Sequence, residues 1–308
     1  MTTQAREEVQ AVGVGRAAEA ESWTIAGEAA RRRLVAAMPV KERRLDLAGI
    51  STAILEGGDG PPVVLLHGPA AYAAHWMQVV PGLVATHRVV ATDLPGHGAS
   101  EVMHGALDAS RMREWLGELI QRTCGSAPTL VGQLLGGAIA ARFAADRSER
   151  LAGLVLIDSF GLGDLQLPPE FAQALAAYQT EPTESTHEGL WRFCTFDLDR
   201  MRHRMGELWA PFETYNIDRA RTPGQKAALP ALMATLGMPA IAPADLGRIA
   251  VPTTLICGRY DLATLPLAEA ASARYGWPLH VIEDAADDPP VEQPEATLAA
   301  LRAVLKVR

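Results

Sequence analysis

An alternation of short apolar runs with helix-like segments, beginning near residue 46, restricts the fold of this chain above all. The strand-like runs read "GISTAILEGG", "PVVLLHG", "HRVVATDLPGHG", "PTLVGQ", "LAGLVLIDSFG", "VPTTLICGRYD" and "PLHVIEDAADD". Helix-like segments such as "HWMQVVPGLVA", "REWLGELIQR", "GGAIAARFAA" and "TLAALRAVL" lie between them. Continuous apolar strands separated by helices are typical of a parallel sheet covered on both faces. The pattern predicts an α/β fold.

This alternation of strand-like and helix-like segments, and the places where it is absent, divide the chain into four predicted parts. Residues 1–45 are polar and Ala-rich and end in the predicted helix "GEAARRRLVAAM", so we expect a helical extension. Residues 46–160 and 248–308 form the two parts of the α/β core. Residues 161–247, rich in Trp, Met, Arg and Pro, predict an inserted helical cap over the carboxyl edge of the sheet, where open α/β sheets bind ligands.

Composition excludes several classes of function. The net charge of −8 gives no basic surface to attract nucleic acid. No apolar run is long enough to span a bilayer, and we expect no signal peptide. The three cysteines fall outside any CxxC spacing, which favours a reducing, cytoplasmic location over a disulfide framework. No HExxH or clustered carboxylate pattern indicates a metal, and no cofactor is expected.

Five motifs in order resemble those of the α/β-hydrolase superfamily over residues 46–308. They are "LLHG" with the following pair His75–Trp76, "DLPGHGAS", "VGQLLGG", "CGRYD" and "VEQPEA". The resemblance implies an eight-stranded, mostly parallel sheet with helices on both faces and a cap. It also implies a site built from a nucleophile at a sharp strand-to-helix turn, a histidine, and an acid that orients the histidine.

The chain departs from that pattern at the two reactive positions. The turn reads Gly132-Gln133-Leu134-Leu135-Gly136, and Leu134 has no heteroatom with which to attack a substrate. The histidine position, shortly before "VEQP", aligns with Asp287, or with Asp288 if the loop shifts by one. Only the acid position is retained, as Asp261. Hydrolysis through a covalent intermediate is therefore not expected.

The oxyanion hole of the resemblance is altered as well. Its donors would be the backbone N–H of Leu135 and that of the residue after "HG". The second position is Pro69, which has no N–H, although Ala70 can donate if the alignment slips by one. Losing one such donor costs on the order of 10²–10³ in the rate of acyl transfer.

The remaining groups suggest proton transfer without covalent attachment. Asp261 and Asp287 are predicted to meet and share a proton, which makes them a general acid/base pair. The predicted substrate contacts are Leu134, Gln133, Leu135, Pro69, Ala70, His75, Trp76 and Trp191. The leading hypothesis is a cofactor-free cyclase, lyase or isomerase of natural product biosynthesis that acts on a bulky apolar small molecule.

Two alternatives remain open. The first is an inactive ligand-binding pseudoenzyme, in which Asp261 merely caps a turn and the acidic loop is solvated. The second is an atypical hydrolase that uses carboxylate-activated water. The expected partner is the apolar small molecule, and a homodimer of two copies of this chain is left open.

Overall fold

A single mixed sheet organises the computed structural model, which describes residues 24–305 of the chain. Nine strands build it: β1 (Lys41–Leu47), β2 (Ile50–Gly57), β3 (Pro62–Leu66), β4 (Arg88–Thr92), β5 (Glu101–Val102), β6 (Thr129–Gln133), β7 (Gly153–Ile157), β8 (Thr253–Gly258) and β9 (Leu279–Ile282). Their order is β1-β2-β4-β3-β6-β7-β8-β9, and the short β5 pairs with β2. The predicted mostly parallel α/β sheet is confirmed, with β5 as an addition to the expected eight strands.

Helices connect the strands. They are α1 (residues 24–36), α2 (Val80–Leu83), α3 (Ala109–Thr123), α4 (Leu135–Arg147), α5 (Pro169–Thr180), α6 (Glu184–Cys194), α7 (Leu198–Met205), α8 (Trp209–Arg221), α9 (Pro223–Leu232), α10 (Pro243–Leu246), α11 (Leu265–Tyr275), α12 (Pro289–Glu292) and α13 (Pro294–Val304). Short 3₁₀ helices occupy Ala73–Gln78, Ser148–Arg150 and Gly206–Leu208, and Met233–Gly237 is a π-helical turn. Over residues 24–305, no helix is long and apolar enough to cross a membrane.

Strand direction determines where side chains can meet. The strands β4, β3, β6, β7, β8 and β9 run parallel, whereas β1 and β2 are antiparallel to their neighbours. All five residues of β3 and of β7 are buried, as expected for strands covered on both faces. The carboxyl ends of β3, β6, β7 and β8 therefore share one edge of the sheet. Because these strands run in the same direction, the loops that follow them lie close together at that edge.

The two faces of the sheet bury separate apolar clusters. One cluster contains Phe143 of α4 and Trp115 of α3. The other contains Trp76 and Leu34 of α1. Helix α1 is also held by an ion pair between Arg31 and Glu42 of β1 at 2.8 Å. The first strand thus begins five residues inside the segment 1–45 that was predicted to be a helical extension, and residues 1–23 of that segment lie outside the described residues.

Six helices, α5 to α10, lie between β7 and β8, within the segment 161–247 that was predicted as a cap. Several begin with polar caps that satisfy backbone N–H groups at the helix start: the side chain of Thr183 accepts from Thr186 N, and that of Asp197 accepts from Arg200 N. Hereafter "cap segment" means residues 161–247.

Candidate functional site

A cavity of about 640 Å³ lies between the cap segment and the carboxyl ends of the strands. Gly68, Gln133 and Asp261 line it from the strand ends, and Trp191 and Met233 line it from the cap segment. Ligand sites of small molecules typically measure about 300–1,000 Å³ and are mostly apolar with a few polar groups. The position and size of this cavity therefore suit a small molecule at the edge of the sheet.

Leu134 occupies a strained backbone turn between β6 and α4. Its φ of 46° and ψ of −110° lie in a region that L-residues rarely adopt, at a cost on the order of 1–3 kcal/mol. The turn is held by hydrogen bonds from Leu134 N to Ile157 O (2.9 Å) and from Ala138 N to Leu134 O (3.0 Å). The chain thus retains the geometry that would present a nucleophile, and it presents a hydrocarbon to the cavity instead.

Glycines at the two ends of this turn allow the backbones to approach closely. A Cβ atom on Gly136 would lie 2.6 Å from the carbonyl oxygen of His67, and one on Gly132 would lie 2.6 Å from the amide nitrogen of Gly137. Neither backbone can move aside cheaply. The retention of both glycines is therefore explained by packing alone.

The loop after β3 lacks one of the predicted N–H donors. Pro69 has no amide proton and lines the cavity, as does Ala70, whose φ is 58°. Leu135 is the first residue of α4, and the N–H groups of a first helical turn have no intrahelical partner. One helix N-terminus thus remains as a source of N–H donors near Leu134.

Asp287, which the sequence predicts at the histidine position, is partly buried and lines the cavity. Burial raises the pKa of the Asp287 carboxyl well above its usual range, and the charges of Asp261, Asp288, Glu292 and Asp158 raise it further. A carboxyl group in this state holds its proton well into the range where ordinary aspartates are ionised. It can give or take a proton at an apolar surface.

Cys194 of α6 lies against Asp287. The amide of Asp287 donates to Cys194 O at 3.3 Å, and both side chains line the cavity. Burial, with the neighbouring Asp287, raises the pKa of the Cys194 thiol well above its usual range. Since the thiolate is the attacking form of cysteine, Cys194 is poorly suited to replace the missing nucleophile.

Asp288 connects two polar side chains that approach the cavity from different elements. Its Oδ2 lies 2.7 Å from His75 Nε2, and its Oδ1 accepts from Gln133 Nε2 at 2.9 Å. Gln133 Nε2 also donates to the carbonyl oxygen of Asp287 at 3.1 Å. All three side chains are buried. Asp288 therefore orients the imidazole of His75 and the amide of Gln133 in the cavity wall.

We expect Asp288→Ala to lower the free energy of unfolding by about 2 kcal/mol, because it leaves buried donors on His75 and Gln133 without an acceptor. Asp199→Ala is the matched control, since the Asp199 side chain is 72% exposed and its ion pairs with arginines are worth less than about 1 kcal/mol. Urea unfolding followed by circular dichroism measures both. Equal effects of the two substitutions would show that the buried contacts of Asp288 contribute nothing.

Asp261 is already bonded within its own loop. Its Oδ1 accepts from Ala263 N (2.9 Å) and Thr264 N (3.0 Å), and its Oδ2 accepts from the hydroxyl of Thr264. These bonds fix the turn before α11. Asp261 lines the cavity and acts on Asp287 through its charge.

Asp158, at the end of β7, completes a buried acidic group that the sequence reasoning missed. Its Oδ1 accepts from Gly258 N at 2.9 Å, and burial with the charge of Asp261 raises the pKa of its carboxyl well above the usual range. Ligand atoms of Asp158, Cys257 and Asp261 lie within 4.8 Å of one another, a spacing that a metal ion can bridge. Protein donors satisfy both oxygens of Asp261, whereas Oδ2 of Asp158 is buried and has no partner among the described residues.

Glu292 was also missed. Its Oε1 accepts from Ala286 N (2.7 Å) and its Oε2 from Phe196 N (2.6 Å), so it ties the acidic loop to the cap segment. Burial raises the pKa of Glu292 to about 7. The position of Asp158 directly after a buried strand was the available signal for that residue, whereas nothing local in "VEQPEA" indicated the contacts of Glu292.

The structure places most of the predicted substrate contacts on the cavity wall: Pro69, Ala70, His75, Gln133, Leu134 and Trp191. Trp76 and Leu135 were predicted with them but do not line the cavity. Both side chains are fully buried in the apolar clusters. Contact of these two residues with a substrate stays a prediction.

Similarity to known sequences covers most of the chain. The family model described as "Alpha/beta hydrolase family" matches residues 63–301. The magnesium-chelatase 30 kDa subunit of Rhodobacter capsulatus is 29% identical over 268 residues, which cover 82% of this chain and 86% of that protein. The pimeloyl-[acyl-carrier protein] methyl ester esterase of Aeromonas salmonicida is 27% identical and is covered to 98%, over 82% of this chain.

A further relative is matched only in part. The dihydrolipoyllysine-residue acetyltransferase component of the acetoin cleaving system of Pseudomonas putida is 36% identical over 110 residues. That match covers 36% of this chain and 30% of the acetyltransferase component. The shared part is thus one region of a longer protein.

Solved structures share the fold. A bacterial membrane phospholipase A superposes with a TM-score of 0.77 at 23% identity, over 99% of this chain and 98% of that chain. The 2-hydroxy-6-oxo-6-phenylhexa-2,4-dienoate hydrolase of a Rhodococcus species gives a TM-score of 0.76 at 24% identity, over 87% and 99%. With a family model that matches more than half of its residues, the chain belongs to the α/β-hydrolase family.

Proposed function

We propose that this chain is a cofactor-free, non-hydrolytic enzyme that transfers protons on a bulky apolar small molecule. The observation that carries the proposal is a pair of replacements facing one cavity: the hydrocarbon Leu134 at the nucleophile position and the carboxyl Asp287 at the histidine position. A cavity with no attacking atom at the turn and with a proton-holding carboxyl is suited to cyclisation, elimination or isomerisation.

Asp287 is the proposed general acid/base. Its carboxyl gives a proton to one atom of the substrate and takes a proton from another, so the enzyme ends as it began. Its raised pKa supports this role, because efficient proton transfer requires a group whose pKa lies near the working pH. Leu134 supplies apolar surface that excludes water from the reacting centre.

Asp261 and Asp288 are the proposed positioning residues. The charge of Asp261 raises the pKa of Asp287, and Asp288 holds Gln133, whose amide in turn bonds the backbone of Asp287. Neither of these two carboxylates has to touch the substrate to serve in this way.

We expect the wild type to open the ring of 5-nitrobenzisoxazole, a neutral aromatic probe for carboxylate bases. Ionised Asp287 takes the ring C–H proton while the N–O bond breaks, and the cyanophenolate product is followed by its absorbance. Asp287→Asn should lower the rate about 100-fold, since it removes the base. Asp284→Asn, on the same loop but paired with Arg200 at the surface, is the matched control and should keep the wild-type rate.

The pH profile separates the two aspartates. The rate should rise with pH as Asp287 ionises, and Asp261→Asn should shift that rise to lower pH, because removing a neighbouring negative charge makes ionisation of Asp287 easier. A wild-type protein that binds the probe without opening it, or an Asp287→Asn variant of full activity, would contradict the proposal.

A second candidate is a ligand-holding subunit without turnover. The similarity to a protein named as a magnesium-chelatase 30 kDa subunit supports it, since the match covers 86% of that protein. In this case the cavity ligand raises the melting temperature, with stabilisation that grows as RT ln(1 + [L]/Kd), while no product forms. Slow hydrolysis of p-nitrophenyl esters that is lost in Asp287→Asn would instead favour water activated by a carboxylate.

A further inference from the structure

The cavity wall is mainly apolar in the cap segment, although Gln179, Asn216, Gln225 and Lys226 also line it, and it is polar at the sheet. The apolar part is lined by side chains of the cap segment, among them Leu165, Leu167, Phe171, Leu175, Leu190 and Met233. The polar end lies at the sheet, where Gln133, His75 and Asp287 meet around Leu134. This asymmetry requires a ligand that is itself apolar over most of its surface and polar at one end.

Two buried polar atoms at the polar end have no partner among the described residues. Gln133 is 2% exposed, and its Nε2 donates to Asp288 and to the Asp287 carbonyl, so Oε1 is its unpaired atom. His75 is 4% exposed; its Nε2 lies 2.7 Å from Asp288 Oδ2, and its Nδ1 has no described partner. Buried polar atoms of this kind cost about 1–3 kcal/mol each while they lack a partner.

The charges at this end have one sign. Asp287, Asp261 and Asp288 line the cavity there, while Asp158 and Glu292 lie behind them and the Cys194 thiol lies beside them. Among the described lining residues, Lys226 is the one lysine and no arginine is present; Lys226 is exposed on α9 in the cap segment. An entering carboxylate would meet three aspartates at this end, without a buried lysine or arginine among the described lining residues to pair with.

We propose that the polar end of the cavity binds the cationic head of an otherwise apolar ligand, with the ionised Asp287 carboxylate as its partner. The inference rests on the proposed function for its site and goes further, because it names the chemical class of the ligand. An ammonium or amidine head pairs with the carboxylate of Asp287, whereas a carboxylate head is repelled by it.

Three probes that share a naphthalene ring system and differ in the polar group test this preference by isothermal titration calorimetry. They are 2-naphthylmethylamine, 2-naphthylmethanol and 2-naphthoate. We expect the amine to bind at least about tenfold more tightly than the naphthoate, with the alcohol between them. Asp287→Asn should remove most of the amine's advantage. Asp284→Asn removes the same formal charge at the surface and should leave the order and the ratios unchanged.

Binding of the amine should also depend on pH with a defined sign. The ammonium pairs with ionised Asp287, so binding releases the carboxyl proton and the affinity rises by up to about tenfold per pH unit until Asp287 is ionised in the free protein. Asp287→Asn should abolish this dependence. The alcohol, which does not require ionisation, should show a weaker one.

Naphthoate binding as tight as the amine, or no binding of any of the three probes, would overturn the inference. Either result is independent of turnover: the ring-opening probe is neutral, so a protein that opens it yet shows no preference for the amine would keep the proposed function and lose this inference. A protein that prefers the amine yet does not open the ring would support the proposed ligand class and contradict the proposed proton transfer.

Discussion

The double variant Leu134→Ser, Asp287→His is expected to hydrolyse p-nitrophenyl acetate on the order of 10³-fold faster than Leu134→Ser alone. The strained turn at residue 134 already holds the geometry for an exposed nucleophile, and the loop before α12 already places residue 287 in the same cavity. The new serine supplies the attacking oxygen and the new histidine accepts its proton. Stopped assays with release of p-nitrophenolate measure the rate.

The gain has a ceiling set by two features of the wild-type chain. Pro69 offers no N–H to the oxyanion, which costs on the order of 10²–10³ in rate, and both oxygens of Asp261 are engaged in its own turn. Leu134→Ser, Asp284→His, which places the histidine on the surface of the same loop, is the control and should match Leu134→Ser alone. A double variant no faster than this control would mean that residues 134 and 287 are not disposed as a nucleophile and its base.

The second large effect concerns stability. Gly136→Ala is expected to lower the free energy of unfolding by about 3 kcal/mol, because its Cβ would collide with the backbone carbonyls of Leu66 and His67 at the crossing of α4 and β3. The collision is with backbone atoms, so no side-chain rotation relieves it. Denaturant unfolding followed by intrinsic tryptophan fluorescence gives the value.

Gly189→Ala is the matched control for this measurement. Gly189 lies on the exposed face of α6, and a Cβ there meets no atom within 4 Å. Because alanine is the better helix former, this variant should be more stable than the wild type by about 0.5–1 kcal/mol. Equal changes in the free energy of unfolding for the two substitutions would show that the close backbone approach at the turn around Leu134 is not the reason for a glycine at position 136.

The fold could be predicted from the sequence because its signals are local, and the proposed replacements at residues 134 and 287 rest on signals of the same kind. Apolar runs predict the strands, and the motif around Leu134 is a contiguous set of residues whose departure from the family pattern is visible letter by letter. The strained φ of Leu134 follows from the same motif, since a tight turn between glycines was expected there.

The polar arrangement around Asp288 could not be predicted in the same way. His75 and Asp288 are separated by 213 positions, and their contact depends on how the 3₁₀ turn after β3 packs against α12. Sequence reasoning assigned His75 to ligand contact and left Asp288 as a substitute for Asp287. The distinction between Trp76, which is buried, and His75, which lines the cavity, likewise depends on the direction in which successive side chains leave a short helical turn.

The contacts of Asp261 show that a residue predicted at the acid position of the family need not orient a histidine. It keeps the acid position of the family, yet its oxygens accept from Ala263, Thr264 and the Thr264 hydroxyl rather than from a histidine. Its remaining influence is electrostatic, through the raised pKa of Asp287. That influence is the physical basis for the shifted pH profile expected of Asp261→Asn.

The central claim is that this cavity works without covalent attachment of its ligand, and labelling with a fluorophosphonate probe followed by intact-protein mass spectrometry tests it most directly. Wild type should show no mass increase, because Leu134 cannot attack phosphorus and burial keeps the Cys194 thiol protonated. Leu134→Ser, Asp287→His should gain one probe on residue 134. A stoichiometric adduct on any cavity residue of the wild type would contradict the account.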